Sequence, residues 1–353
     1  MPYSGSFTFT VTQTDVIREG MLNVGAIGEN EVPTAQESID CARKLNMLVK
    51  QLAGRSDFAP GLKMWTRQRG ALFLGYNQHV YMLGPNGDNW AGGVTGGTAL
   101  QLYNQTQLIS VAPQGATSIQ VNSITNINSG DFIGIQFQPS SANAGTDIFW
   151  TVIAGAPTGT TVNLVNPLTG SAANSAYVWN YTVKQQRPVE IVTSILRDIY
   201  NNDTPQQPLT VQDYEMLPTK TMPGTQSDPR MFYYESQIGT YPNTLTATAN
   251  IGAGVYYIDC YGANDVTKHM HIVFLREVMD INNPGDNPEY PQQWYRALCW
   301  GLAREIAGMF DCTWTQDMQS NYQESMAMAK EQDGETTTFY FEREASSPYD
   351  DNR

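Results

Sequence analysis

The run Ile148-Phe149-Trp150-Thr151-Val152-Ile153 decides how the middle of this chain is read, together with Phe132-Ile133-Gly134-Ile135 and Tyr177-Val178-Trp179-Asn180-Tyr181. Each is short, rich in β-branched and aromatic residues, and bounded by turn formers such as Asn128-Ser129-Gly130-Asp131 and Pro157-Thr158-Gly159. That combination predicts strands. Ser118-Ile119-Gln120-Val121 and Thr161-Val162-Asn163-Leu164 add two more. Five such strands predict a small all-β sandwich or barrel over 105–184.

Charge marks the borders of this region more sharply than hydropathy does. No Lys or Arg stands between Arg69 and Lys184, and the only acids there are Asp88, Asp131 and Asp147. Outside it the period changes. Thr12 with Asp15, and Thr34 with Glu37, place a cap and an acid at the spacing of a helix start. Val16, Ile17, Met21 and Val24 follow the first cap, and Ile39, Ala42, Leu45, Val49 and Leu52 the second, which predicts a helical hairpin ending at Gly54. Trp65, Leu72, Leu74 and Val80 to Leu83 then read as strands, as do Arg187-Pro188-Val189-Glu190-Ile191-Val192 onward to Ile199, Met231 to Tyr234, Gly254 to Tyr261 and Met270 to Leu275. Trp294, Leu298, Leu302, Ile306 and Phe310, then Met318, Tyr322, Met326 and Ala329, predict two closing helices. From Gly334 the pattern stops, leaving an acidic tail with one aromatic cluster, Phe339-Tyr340-Phe341.

The composition narrows the function classes. Charged residues make up 15%, against roughly 25% in an average globular protein. The 34 acids exceed the 20 bases for a formal net charge of −14, and phosphate binding needs clustered cations instead. A channel through which DNA slides without sticking would suit an acidic lining, although solubility alone also explains such a charge. Cys41, Cys260, Cys299 and Cys312 are scattered and read as reduced thiols. The first residues lack the pattern of a signal peptide, and no run reaches the ~18 apolar residues of a membrane span. The expectation is a protein made in a cytoplasm, without a membrane partner.

Chemistry is hard to find. Gly92-Gly93-Val94-Thr95-Gly96-Gly97 lacks the Lys and the helix of a phosphate loop and reads as a turn. His269 and His271 would share one strand face, within reach of a common metal in principle, but Asp265 falls in a turn and no Cys is suitably spaced, so an ordinary surface pair is the expectation. Glu29 and Glu31, and Asp350 and Asp351, sit in loop or tail rather than as a buried acid beside an ionised partner. No catalytic, metal or cofactor site is expected. Phe339, Tyr340 and Phe341, in a pattern-free terminus, are candidate interface anchors, although packing back on their own domain explains them equally well.

Three stretches carry a resemblance: Thr12 to Gly20, then Gly25-Ala26-Ile27-Gly28-Glu29-Asn30-Glu31-Val32-Pro33-Thr34-Ala35, then Leu45 to Lys50. They look like the N-terminal helical hairpin of the head-to-tail adaptors (tail accessory factors) of short-tailed phages. Arg187-Pro188, Leu209-Thr210-Val211-Gln212-Asp213-Tyr214, and Trp294-Tyr295-Arg296-Ala297-Leu298 leading to Leu302-Ala303 resemble the same family. The similarity covers roughly 10–85 and 185–332, and the β-domain is a departure from the shorter members. The resemblance implies a non-enzymatic virion protein at the neck of the particle. It would form a dodecameric ring with itself, contact the portal protein on one side and the tail nozzle or tube on the other, and let genomic DNA pass without specific binding. It makes Phe339, Tyr340 and Phe341 portal-interface candidates. A tail-fibre or carbohydrate-binding virion protein is the alternative.

The expected fold is therefore α+β. A helical bundle from the N- and C-terminal helices, plus strands, would carry an inserted all-β domain. The parts are an adaptor domain over 1–104 and 185–333, the insertion over 105–184 and the tail over 334–353.

Overall fold

The computed structural model describes residues 9–53, 65–76, 78–98, 100–137, 147–218, 228–236, 254–258 and 266–333. They fall into two compact units. One combines the chain up to Trp65 with the chain from Val278 onward, and the other runs from Thr66 to Glu277.

The first unit is helical. α1 (Gln13–Val24) starts at Thr12, whose hydroxyl accepts from the Asp15 amide while the Asp15 side chain accepts from the Thr12 amide. That reciprocal cap satisfies two of the amides a helix start otherwise leaves open. Gly25 closes α1 at φ 72°, in the left-handed region that favours glycine. α2 (Ala35–Ala53) opens on the same device from Thr34 and Glu37. A five-residue helix, α3 (Val211–Glu215), belongs to the other unit, and α4 (Tyr295–Ile306) and α5 (Gln316–Gln332) complete the set. The core of the helical unit gathers Val16, Met21, Cys41, Leu45, Val49, Trp294, Leu298, Leu302 and Ile306. Cys41 rather than Ile39 faces this core; Ile39 is exposed.

The second unit is sheet. β1 (Arg67–Phe73), β2 (Val80–Leu83) and β3 (Trp90–Gly93) precede the uncharged region. That region holds β4 (Asn104–Gln107), β5 (Ser118–Gln120), β6 (Phe132–Gln136), β7 (Ile148–Val152), β8 (Thr161–Asn163) and β9 (Tyr177–Tyr181). After it come β10 (Val183–Lys184), β11 (Pro188–Arg197), β12 (Asp203–Pro205), β13 (Gln207–Pro208), β14 (Met231–Glu235), β15 (Gly254–Ile258) and β16 (His269–Arg276).

A six-stranded sheet in the order β10-β3-β1-β16-β11-β12 forms the frame. Its strands alternate. Leu72, Trp90, Leu196, Met270, Ile272 and Phe274 face a second sheet, β13-β14-β15-β2, and bury a core with Leu83, Phe232 and Tyr256. Ala71, Phe73 and Ala91 point the other way and meet Ile148, Trp179 and Tyr181 of the third sheet, β4-β9-β6-β7. That third sheet and the β5–β8 pair enclose their own core of Ile119, Val121, Ile133, Ile135, Val162 and Val178. The chain leaves the frame after β3 and returns at β10, which pairs with β3.

This architecture corrects the expected fold class. Among the described residues, sixteen strands in three larger sheets and one pair stand against five α-helices. The chain is mostly β, only weakly mixed α+β, and is not a helical bundle carrying strands and one inserted domain. The flanking strands, read as accessories of the helices, build the frame sheet and share a unit with the uncharged region. Helix caps are signals a few residues long. β1 and β16, in contrast, pair at a separation of some two hundred residues, and no local pattern announces such pairing. The stretch Leu209 to Tyr214 leads into α3, which is capped by Thr210 and Asp213.

Candidate functional site

Strand alternation sets polar and aliphatic side chains in one row on the face of the frame sheet that carries Phe73. β1 contributes Arg69, β16 contributes His271 and Val273, and β11 contributes Ile195 and Arg197, with His271 directly opposite both Ala71 and Ile195. The segment Leu100 to Gln105, which leads into the β-module, forms the opposite wall. Between them lies an open cleft of about 610 Å³, within the size range of ligand pockets. A second hollow of about 600 Å³ shares Arg69, Leu100 and Leu102 with it and is completed by Arg67, Lys184 and Gln185.

Among the described residues neither hollow is lined by a carboxylate. The Arg197 guanidinium is held from outside the lining by Asp203, Nε to Oδ1 at 2.7 Å and Nη2 to Oδ2 at 2.8 Å. This fork keeps the Asp203 carboxyl below the usual carboxylate range. Arg69 is exposed and takes part in none of the ion pairs among the described residues. Tyr103 stands edge-on to His271 at 5.9 Å between ring centroids, and its hydroxyl pKa is pushed up by burial.

His269 and His271 do share a strand face. Neither is the ordinary surface residue expected. His269 is fully buried, edge-on to Phe73 at 4.6 Å, Trp179 at 5.2 Å and Tyr103 at 5.3 Å. Burial, and secondarily the neighbouring His271, lowers its pKa to about 3, while the Lys268 backbone offsets a little of this. Burial and then the Arg197 charge lower that of His271 to about 4. Both rings are neutral near pH 7. Among the described residues no group of three His, Cys, Asp or Glu side chains is placed to hold a metal.

The other candidates take structural places. Gly92 and Gly93 end β3, and the glycines that follow lie in turns. Glu29 and Glu31 are exposed, and the Glu31 carboxylate accepts from the Gly28 amide at 2.8 Å. Asp131, one of three acids between Arg69 and Lys184, is fully buried and accepts from the Asn128 amide, Asn180 Nδ2 and Thr182 Oγ1. Cys41 and Cys299 are free, buried thiols, pushed by burial up to about 11 and about 12, and Cys312 is half-buried. Phe339, Tyr340, Phe341, Asp265, Asp350, Asp351 and Cys260 lie outside the described residues.

The cleft itself was missed by sequence reasoning, but a signal for it existed. Arg69 and Lys184 are the last cation before the uncharged region and the first one after it. The β1-β3-β10 order brings both to the same hollow.

No known family model matches this sequence, and no curated protein matches it. Three solved structures share local likeness. They are the Gp54 tailspike of Acinetobacter baumannii bacteriophage AP22 in complex with A. baumannii capsular saccharide, at 17% identity over 22% of this chain and 14% of that one, the Pseudomonas phage phi297 tailspike gp61, at 14% identity over 22% and 14%, and the tailspike protein gp49 from Pseudomonas phage LKA1, at 16% identity over 26% and 18%. Each superposes with a TM-score of 0.20. This chain spans less than a fifth of the length of each, and a likeness at that score establishes neither a common fold nor a common function.

Proposed function

We propose that this chain is a non-enzymatic structural protein of a phage particle, a head-to-tail adaptor that forms a ring between portal and tail. The observation that carries the reading is the way the resembling segments interlock. The segments 10–85 and 185–332 are separated by the whole of 86–184. Yet β1 of the first pairs along its full length with β16 of the second, and α1, α2 and α4 contribute to one core. The intervening region leaves and rejoins this frame at two adjacent strands. A formal charge of −14 suits a ring through which DNA slides without specific contact. In this reading the ring is a dodecamer, the portal and the tail nozzle or tube are its neighbours, and Phe339, Tyr340 and Phe341 anchor the tail segment on the portal. Labelling the chain in intact particles and locating it by electron microscopy tests this: label at the neck is expected, and label at fibre tips overturns it.

A second reading is a tail-fibre or carbohydrate-binding virion protein. It is favoured by the β-rich fold, which is commoner in such proteins than in helical connectors, and by the open polar cleft on the frame sheet.

A further inference from the structure

We propose that the cleft walled by Arg69, Tyr103, Arg197 and His271 binds a carboxylated sugar. The proposal takes up the carbohydrate-binding reading and names its ligand; it holds wherever in the particle the chain sits.

The first argument is electrostatic. Acids outnumber bases 34 to 20 in this chain, yet the two contiguous hollows are lined by Arg67, Arg69, Lys184 and Arg197 and, among the described residues, by no Asp or Glu. Arg69 has no ion-pair partner among the described residues, so its guanidinium is available for a bidentate carboxylate contact. Asp203 engages Nε and Nη2 of Arg197 and thereby fixes the direction of the guanidinium. A neutral or cationic ligand would leave this arrangement unused.

The second argument is the remainder of the lining. Gln101, Gln105 and Asn201 supply planar amides that donate to and accept from hydroxyls, and Gln105 is itself held where its Oε1 accepts from the Trp179 indole at 3.3 Å. Leu100, Leu102, Ile195 and Ile199 give apolar surface of the kind that covers the C–H faces of a sugar ring. An acidic peptide shares the charge but has less use for several amides set among aliphatic walls.

Calorimetric titration of the full chain with a galacturonic acid trimer, a galactose trimer and a glutamate hexapeptide tests this. The uronate trimer is expected to bind, more weakly as salt rises. Arg69→Gln is expected to reduce that binding about tenfold or more, and Tyr103→Phe to reduce it by less, both with unchanged unfolding temperature. Equal binding of the neutral trimer overturns the acid specificity and leaves carbohydrate binding standing. Failure of both sugars to bind the folded chain overturns this proposal and the carbohydrate reading together. Preferential binding of the peptide makes the cleft a protein interface and overturns it as well.

Discussion

The His269 imidazole meets the Trp179 indole edge-on, with ring centroids 5.2 Å apart, so that a titratable residue of the frame sheet is sealed beneath the β-module. His269 and His271 are neutral in the folded chain, with pKa values lowered to about 3 and about 4. An unfolded histidine takes up its proton near pH 6.5. Below that pH the unfolded chain therefore binds protons that the folded chain refuses, and each ring costs about 1.4 kcal/mol of stability per pH unit until its folded pKa is reached. Stability is thus complete above about pH 6.5 and declines as the pH falls. Urea denaturation at a series of pH values should show this decline, and His269→Phe should flatten it. An unchanged slope in the variant would show that the buried ring is not its source.

Asp131 organises the entrance to the β-module. Replacing it with Ala leaves the Asn128 amide, Asn180 Nδ2 and Thr182 Oγ1 without their shared acceptor in a fully buried place. The expected loss is about 3 kcal/mol, read from the urea midpoint. Asp131→Asn, which keeps one acceptor oxygen, should lose less.

Gly134 lies in β6 under the Trp150 ring, and a Cβ there would stand 2.7 Å from two of the indole carbons. Trp150 is packed against Phe73 and Tyr181 and has little room to yield. Gly134→Ala should therefore cost about 1–3 kcal/mol by overpacking, visible as a lowered unfolding temperature. Gly93, where a Cβ meets nothing within 4 Å, provides the contrasting site: Gly93→Ala should be close to neutral.

In the helical unit, Thr12→Ala removes the acceptor for the Asp15 amide and should cost about 1 kcal/mol. Thr12→Ser keeps that acceptor and should cost much less. Helix content followed by circular dichroism during urea denaturation distinguishes the two.

The sequence declared what is local and hid what is not. The caps at Thr12 and Thr34 need only residues three positions away, and the helices they open were readable from those residues and the apolar spacing behind them, whereas the Thr315 cap of α5 went unread although its apolar spacing did not. Five of the six strands of the β-module, β5 to β9, were readable because each is short and framed by turns, whereas the polar β4 (Asn104–Gln107) was not. The frame sheet was not. Three of its strands, β1, β11 and β16, read individually and β3, β10 and β12 did not, but nothing in Arg67–Phe73 says that its partner is His269–Arg276, and the weight given to the helices followed from that silence. The same long-range pairing hid the cleft, whose lining comes from four separated stretches. It also turned His269 and His271 from an expected surface pair into a buried ring and a half-buried one that lines the cleft.

The central claim is most directly tested by the native mass of the purified chain alone and mixed with the portal protein of the same phage. The adaptor reading predicts a complex in which copies of this chain match the portal ring as a dodecamer. A stable trimer that shows no affinity for the portal would contradict it.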